Sequence, residues 1–329
     1  MQSIREVLTP EALSLIDAVH RTGSMAAAAR EMGVVPSALT YRVRLVEDAL
    51  DVLLFDRSSR QARLTDAGHE LLREGKRLLI ELDAVAHRVK RVATGWEPQL
   101  TITADGLISS TTLFELCEAF YAMEPPTRLR IRSETLSGTW ETLVLGQADL
   151  AIGCVVEVTQ SSGILSLPMG KVPFVFAVAP HHPLAAETGS ISDAQLQQHR
   201  AVAVADTTVR GAGLSMGLLG GQDVLTVPTM QYKIEAQLRG MGCGFLPEPL
   251  ARPYIEAGHL VTKTVARPRR PVAMSYAWRA QGDAPAVSSR KTLRPGSPLI
   301  PQGRALQWWL EQLARPPTQK ALLERHHSV

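Results

Sequence analysis

The stretch from 23 to 57, GSMAAAAREMGVVPSALTYRVRLVEDALDVLLFDR, decides the fold of the first part of this chain. Ser24 is a residue type that caps helix N-termini, and residues 25–32 are rich in alanine, whose small side chains let two helices pack closely. Gly33 suits a turn with a positive φ, and Pro36 suits the first position of a further helix. The stretch therefore predicts a helix-turn-helix.

The helix that begins at Pro36 is predicted to have one buried and one exposed face. Its apolar residues recur at helical spacing, whereas its outward face carries Ser37, Thr40, Tyr41 and Arg44. Short polar groups, an aromatic ring and an arginine suit a helix that lies in the major groove of DNA. The alternative is a set of short helices that only pack against each other. A formal net charge of +3 permits nucleic-acid binding without indicating it, so the prediction depends on the motif.

The composition of the whole chain is that of an ordinary globular protein. Its 329 residues suggest two or three units, and 45% of them are hydrophobic and 20% charged. Three widely spaced cysteines, Cys117, Cys154 and Cys243, form neither a disulfide framework nor a zinc-ligand spacing. The N-terminus lacks an apolar signal segment, and no run of about eighteen apolar residues occurs. We therefore expect a cytoplasmic protein with no metal, no cofactor and no membrane partner.

Residues 65–94 are predicted to form one long helix with a coiled-coil stripe. Apolar positions and one glycine alternate spacings of four and three over about three heptads; they are Leu71, Gly75, Leu78, Leu82, Val85, Val89 and Val92. A narrow stripe of this length favours pairing with another helix over the alternative of a single long core helix. A twofold dimer would present two DNA-binding domains to a roughly palindromic operator.

Residues 95–329 alternate predicted strands and helices. Apolar or alternating runs begin near 100, 129, 150 and 172 with helical runs between the first three, which is typical of parallel β-α-β units. A second such unit follows, and a late run at 274–278 is predicted to return to the first. The tail after 317 is expected to fray. We predict an α/β domain of two lobes: lobe I at about 95–178 and 272–329, and lobe II at about 179–271.

Two such lobes form a cleft at the carboxyl ends of their strands, where small ligands bind. The residues that follow the predicted strands are therefore candidates to contact an effector: Asp105, Ser109, Ser110, Thr111, Glu134, Thr135, Asp206, Thr207 and Met230. Each could instead cap a helix. The set is rich in hydroxyls and has three carboxylates, which should repel a plain carboxylate ligand. We expect a small hydroxylated molecule such as a phenol or catechol, although Arg210 would offset part of the charge.

One motif suggests a different class of protein. Gly213, Ser215 and Gly217 match the G-x-S-x-G elbow of α/β hydrolases. That elbow needs a strand immediately before the serine, and residues 210–213 are typical of a loop. A hydrolase would show esterase activity that depends on Ser215; we expect no enzymatic activity.

The stretch 8–65 resembles the N-terminal domain of LysR-type transcriptional regulators. The alanine run, Gly33, the segment 36–38 and the blocks LFDR at 54–57 and LTDAG at 64–68 carry the resemblance. It implies a winged helix-turn-helix over residues 1–64, with the wing tip at 58–61. The expected DNA-binding residues are Ser24, Pro36, Ser37, Thr40, Tyr41, Arg44, Arg57 and Arg60. The alternative for Arg57 and Arg60 is a solvated surface pair.

The sequence departs from the pattern of this family at two positions. Tyr41 stands where the family often has arginine, so Arg42 or Arg44 would take over part of the usual contact with a base. Asp51 stands where the family usually has glycine, which is tolerated if Asp51 adopts the left-handed conformation.

The resemblance extends over nearly the whole chain. Segments 140–152, 178–184 and 238–247 are similar to the effector domain of the same family, whose fold resembles periplasmic binding proteins. The resemblance thus implies an α/β protein with an N-terminal winged helix-turn-helix, a linker helix at 65–94 that pairs with its twin, and an effector-binding domain at 95–329. It also implies double-stranded DNA, a small-molecule effector and RNA polymerase as partners, and a homodimer or homotetramer.

Overall fold

The computed structural model describes residues 4–56, 62–155, 163–209, 217–279 and 303–326. The chain divides into two compact units, residues 1–88 and 89–329, and each has its own buried apolar clusters. Every helix among the described residues is too short or too polar to cross a membrane.

The first unit consists of short helices, an antiparallel ribbon and the start of a long helix. These elements are α1 (Ile4–Val7), α2 (Pro10–Thr22), α3 (Met25–Glu31), α4 (Pro36–Leu50), β1 (Phe55–Asp56), β2 (Arg63–Leu64) and α5 (Asp66–Thr94). Thr9 and Ser24 cap α2 and α3, because their hydroxyls accept hydrogen bonds from Ala12 N and Ala27 N. The apolar faces of α2, α3 and α4 meet in one core that also takes in Phe55.

Three left-handed residues mark the ends of helices in this unit, and the first of them, Gly23, ends α2 with a φ of 67°. Gly33, with a φ of 66°, joins α3 to α4 and gives the tight turn that the helix-turn-helix needs. Asp51 ends α4 with a φ of 54° and a ψ of 38°, so the aspartate does adopt the left-handed conformation. Its backbone N–H donates to Glu47 O, which closes the last turn of the helix.

Glu47 fastens α4 to the ribbon. Its side chain is buried, and its Oε1 accepts hydrogen bonds from Leu54 N at 2.8 Å and Phe55 N at 3.3 Å. A buried carboxylate is tolerated when its oxygens are hydrogen-bonded, and Glu47 Oε1 has these two backbone donors. Glu47 therefore fixes where the chain enters β1.

The long helix α5 packs on the first unit only near its N-terminus. A Cβ at Gly75 would lie 2.8 Å from Leu13 Cδ2, and Lys76 Nζ is 2.8 Å from Asp17 Oδ1. Beyond this contact the predicted apolar stripe is exposed, from Leu78 at 51% through to Val92 at 84%. The exposed members are Leu78, Leu82, Val85, Val89 and Val92, and we call them the α5 stripe.

The second unit contains the following elements in chain order. The first part has β3 (Gln99–Asp105), α6 (Ser110–Tyr121), β4 (Arg128–Glu134), α7 (Ser137–Val144), β5 (Leu150–Cys154) and β6 (Ile164–Val172). The middle part has β7 (Phe174–Val178), a 3-10 turn (Pro183–Ala186), α8 (Asp193–Gln197), β8 (Ala201–Val204), β9 (Val224–Val227), α9 (Met230–Leu238), β10 (Gly244–Pro247), α10 (Glu248–Glu256) and β11 (Val261–Lys263). The last part has β12 (Val272–Arg279), α11 (Arg304–Leu313) and α12 (Pro316–Glu324).

Lobe I is built on a mixed sheet with the strand order β4-β3-β5-β12-β6. The strand β3 is parallel to β4 and β5, whereas β12 is antiparallel to both β5 and β6. Lobe II has a sheet β10-β7-β11 and a parallel pair β8-β9. Because β7 pairs with β10 and β11, lobe II begins at Phe174, and the expected boundary near 178 is corrected.

The C-terminal helices complete lobe I. Trp309, Leu322 and Leu323 are buried in its core, so the expectation that the tail frays after 317 is wrong for α12. The buried carboxylate of Glu97 accepts hydrogen bonds from Ala305 N at 3.0 Å and Leu306 N at 3.4 Å at the start of α11. The two ends of the second unit are thereby joined.

Candidate nucleic-acid interface and ligand cavity

The outward face of α4 carries most of the residues predicted to touch DNA. Pro36, Ser37 and Arg44 are exposed, and Tyr41 is 62% exposed, which is unusual for a large aromatic side chain. Thr40 is half-buried, and its hydroxyl donates to Pro36 O at 2.9 Å within the helix. This face thus presents short polar groups and an arginine around one exposed ring.

A groove beside α4 brings three of the predicted residues together. Ser24, Thr40 and Arg44 line it with residues from α3 and from the ribbon. Ser24 Oγ accepts from Ala27 N at 3.4 Å as the cap of α3, and its hydroxyl hydrogen remains for donation to an outside group. Arg57 and Arg60, the predicted wing residues, lie outside the described residues.

Position 41 is a tyrosine where an arginine was expected, and Arg42 and Arg44 were the candidates to replace it. The structure distinguishes between these two arginines. Arg42 is half-buried and forms an ion pair with Glu11 of α2. Arg44 is exposed and forms no ion pair with any described residue. A guanidinium with no protein partner is available for a base edge or a phosphate.

The second unit contains a cavity between its two lobes. It encloses about 590 Å³ of space not occupied by protein atoms, including the part open to solvent. Its lining comes from the loops after β3 and β4 in lobe I and from β8, α9 and β10 in lobe II, together with residues next to β12. The lining residues are Asp105, Gly106, Leu107, Thr135, Leu136, Val155, Phe174, Val204, Met230, Lys233, Phe245, Arg269 and Val272.

Of the nine residues predicted to contact an effector, the cavity brings together Asp105, Thr135 and Met230. The other six do not line it. Ser109 caps α6 by accepting from Thr112 N at 3.1 Å, and Ser110 and Thr111 belong to the first turn of the same helix. Glu134 is 2.9 Å from Arg132 Nη2 in an ion pair within β4. Asp206 and Thr207 instead form hydrogen bonds with lobe I, as described below.

Asp105 is the cavity's buried carboxylate. Its Oδ1 accepts from Leu107 N at 2.9 Å and its Oδ2 from Leu136 N at 3.0 Å, so it organises the loops around it. Burial raises the pKa of Asp105 to about 6, and the two backbone hydrogen bonds partly oppose that rise. Leu136 has a φ of 56° and a ψ of −121°, and the bond from its N–H to Asp105 helps to hold this uncommon backbone conformation.

Two cations in the lining were not predicted from the sequence. Lys233 of α9 is only 6% exposed, and burial lowers the pKa of its ammonium to about 8, with a further lowering by the charge of Arg269. The guanidinium of Arg269 lies over the ring of Phe174, 3.9 Å from its centroid. The prediction of an acidic cleft is therefore wrong for the described lining of this cavity, which has two cations and one carboxylate. One feature of the sequence could have indicated Lys233. Helical spacing places this lysine on the buried face of α9 with Ile234 and Gln237.

Hydrogen bonds join the two lobes directly beside the cavity. Thr135 N donates to Thr207 Oγ1 at 2.9 Å, and Thr207 N donates back to Thr135 O at 3.3 Å. Asp206 accepts from the hydroxyl of Ser137 and from Gly138 N, the latter at 3.3 Å. We call these five residues the interlobe latch. It holds the lobes together around the cavity.

Gly138→Ala is expected to open the interlobe latch. A Cβ at position 138 would overlap Thr207 Oγ1 and lie 3.1 Å from the backbone carbon of Thr207, so the lobes must separate to admit it. Hydrogen exchange at the amides of Thr135 and Thr207 should become roughly 10-fold faster or more, since each loses its acceptor. Gly189→Ala is the matched control, because nothing lies within 4 Å of its Cβ position. Unchanged exchange at both amides would show that the latch does not limit opening.

Comparisons with known proteins agree with this architecture. The family model described as "Bacterial regulatory helix-turn-helix protein, lysR family" matches residues 10–69, and the "LysR substrate binding domain" model matches residues 93–289. The chain is 36% identical over 255 residues to the uncharacterized HTH-type transcriptional regulator YeeY of Escherichia coli (strain K12), covering 78% of this chain and 82% of YeeY. It is 39% identical over 253 residues to the probable HTH-type transcriptional regulator YhaJ of the same strain, covering 77% and 85%.

The fold also resembles a solved structure. The crystal structure of full-length CbnR complexed with its target DNA matches with a TM-score of 0.58 and 18% sequence identity, covering 94% of this chain and 99% of that one. At this identity the similarity is one of fold.

Proposed function

The chain belongs to the LysR family of transcriptional regulators, with its helix-turn-helix and its effector-binding domain, and from that premise we propose how its residues divide the work. The α4 face enters the major groove of double-stranded DNA, with Pro36, Ser37, Thr40 and Tyr41 toward the base edges. Arg44 takes over the contact expected of the arginine absent at position 41. Ser24 beside the groove, and Arg57 and Arg60 on the wing, contact phosphates. The exposure of Tyr41 and Arg44 is the observation that carries this proposal.

The α5 stripe supports a proposal about assembly. Five apolar side chains at heptad spacing are exposed along one face of a helix, and water-exposed apolar stripes of this kind pair with a second helix. We propose that a second copy of this chain covers the stripe in a homodimer, which is also the building block of any homotetramer. Two DNA-binding domains related by a twofold axis then read a roughly palindromic operator. RNA polymerase is the expected protein partner at the promoter, and the protein works in the cytoplasm with the DNA.

The interlobe cavity supports a proposal about the signal. A small-molecule effector bound there would touch both lobes and the residues next to the interlobe latch, so its binding would change the balance between open and closed lobes. The aromatic and aliphatic walls suit a ring, and Asp105 and Thr135 offer acceptors for ligand hydroxyls. We therefore keep a hydroxylated aromatic as the effector. We propose no catalytic role; Ser215 of the G-x-S-x-G motif lies outside the described residues.

Arg44→Ala tests the DNA-binding surface. The operator is first identified by genome-wide mapping of DNA bound by the unaltered protein. Binding of the variant to that operator should weaken by about 10-fold or more, because one base or phosphate contact of roughly 1–3 kcal/mol is lost. If Arg44 contacts a phosphate, the slope of affinity against salt concentration should also fall by about 1.

Two further variants make this test specific. Arg42→Ala should have the smaller effect, since Arg42 is paired with Glu11. Arg252→Ala, which changes an arginine paired with Glu248 in α10, serves as the distant control. Operator affinity that is lost with Arg42→Ala and kept with Arg44→Ala would reverse the assignment.

A further inference from the structure

The charges of the interlobe cavity decide which chemical class of effector it accepts. On the premise of the proposed function, we infer that the effector is a small organic anion whose carboxylate binds the ammonium of Lys233, with an aromatic or similarly flat apolar body against the cavity walls. A hydroxyl on that body, facing Asp105 and Thr135, makes the hydroxylated aromatic carboxylates the best match.

The side chain of Lys233 lacks a polar partner in the part of the chain that the structure describes. Its side chain is 6% exposed and lines the cavity, yet it forms no hydrogen bond or ion pair with any described residue. A buried ammonium without a counter-charge is costly, and one that faces a cavity gains its partner when an anion enters. A carboxylate supplies both the negative charge and two acceptor oxygens.

The two described groups that interact electrostatically with Lys233 are Arg269 and Cys243. Arg269 is close enough to lower the pKa of Lys233 through its charge. Cys243 is the other group that interacts electrostatically with Lys233; burial raises the pKa of its thiol to about 11, so it is neutral near pH 7. Gln237 borders the same corner, because the Cβ position of Gly244 is 3.3 Å from both Gln237 Nε2 and Lys233 Nζ, but Gln237 Nε2 already donates to Gly244 O at 3.1 Å.

Asp105, the buried carboxylate of the lining, does not neutralise this corner. It lies in lobe I, where its two oxygens already accept from Leu107 N and Leu136 N, and it is not in an ion pair with Lys233. The cavity is therefore polarised, with Lys233 on the lobe II side and Asp105 on the lobe I side. A ligand with an anionic end and a hydroxyl at its other end matches both.

The apolar part of the lining sets the shape of the ligand body. The rings of Phe174 and Phe245 lie in lobe II, and Leu107, Val155 and Val272 come from lobe I or its border. Aromatic and branched side chains of this kind favour a flat ring over a long polar chain.

The inference is tested by thermal shift on the full-length chain with five probes, namely benzoate, 4-hydroxybenzoate, benzamide, phenol and catechol. Benzoate and 4-hydroxybenzoate are expected to raise Tm, with the larger rise for 4-hydroxybenzoate, because a ligand that binds only the folded state stabilises it. Benzamide, the neutral counterpart of benzoate, should give a much smaller rise. Lys233→Met should weaken benzoate binding at least about 10-fold, whereas Lys171→Met, an exposed lysine on β6, should not change it.

The unaltered protein gives a second readout that does not depend on folding of the variant. Burial lowers the pKa of Lys233 to about 8, so benzoate affinity should fall as the pH rises from 7 to 9 and the ammonium loses its proton. In the same window Arg269 stays charged, the Cys243 thiol stays neutral, and Asp105, with a pKa of about 6, stays ionised. Among the described lining residues, Lys233 is therefore the group that changes charge.

Three results would overturn the inference: benzamide or phenol as effective as benzoate, equal benzoate binding by Lys233→Met, or no shift with either carboxylate at millimolar concentration. None of them affects the proposed function, which is measured separately by operator binding. Conversely, a protein that binds benzoate but binds no specific DNA sequence would contradict the proposed function. That result would not contradict the proposed anion site.

Discussion

A protein with Leu82→Glu and Val89→Glu is expected to be monomeric and to bind its operator at least about 100-fold more weakly. Both side chains are exposed members of the α5 stripe, seven residues apart and so at the same heptad position. Four glutamates in the paired helices would face each other across a seam that must exclude water. Without pairing, each DNA-binding domain must bind its half-site alone, and the gain from linked sites, on the order of 10²–10⁴, disappears.

The measurements are sedimentation of the free protein and titration of the operator with it. Leu82→Ile with Val89→Ile is the matched control, because it changes the same positions and keeps the stripe apolar. The changed side chains are exposed in one chain, so the fold of each unit should persist. A glutamate variant that remains dimeric would show that another surface holds the copies together.

Glu47→Ala is expected to destabilise the first unit by roughly 3 kcal/mol, since two buried amides lose a charged acceptor. The amides of Leu54 and Phe55 lie at the entrance to β1, next to the segment predicted to form the wing. Their hydrogen exchange should accelerate by about 100-fold, and operator binding should weaken because the entrance to β1 is no longer fixed.

Two neighbouring changes calibrate this effect. Asp48→Ala alters the adjacent carboxylate, which is exposed, and should leave both amides protected. Glu47→Gln keeps one acceptor oxygen and should fall between the two. If Glu47→Ala leaves both amides protected from hydrogen exchange, other contacts hold the ribbon, and Glu47 contributes only packing to the core.

The helix-turn-helix could be predicted closely because its signals are local. Ser24 as a cap, Gly33 as a left-handed turn and Pro36 at the start of α4 each act within a few residues of where they stand, and the structure has all three in those roles. The same is true of Asp51. The arrangement of strands and helices in lobe I also followed from local periodicity, although β6 was missed and β7 was assigned to the wrong lobe.

The composition of the cavity could not be predicted in the same way. Residues after strands have several uses, and Ser109 caps a helix while Asp206 and Thr207 join the lobes. The cations come from α9 and from the segment before β12, which are distant from the β3 and β4 loops along the chain. Only the packing of the lobes brings them to Asp105, and no short-range pattern records that packing.

The position of β12 in the lobe I sheet has a consequence for how the protein is made. It lies between β5 and β6, and β6 has no other strand partner among the described residues. All of lobe II is synthesised between β6 and β12, so on the ribosome β6 must wait, with an unpaired edge, until nearly the whole chain has emerged. The first unit needs no segment beyond α5 for its core and can fold long before that. A nascent chain stalled before β12 should therefore hold a folded DNA-binding domain tethered to an unfinished ligand domain. Such a species is a natural client for chaperones that shield exposed strands.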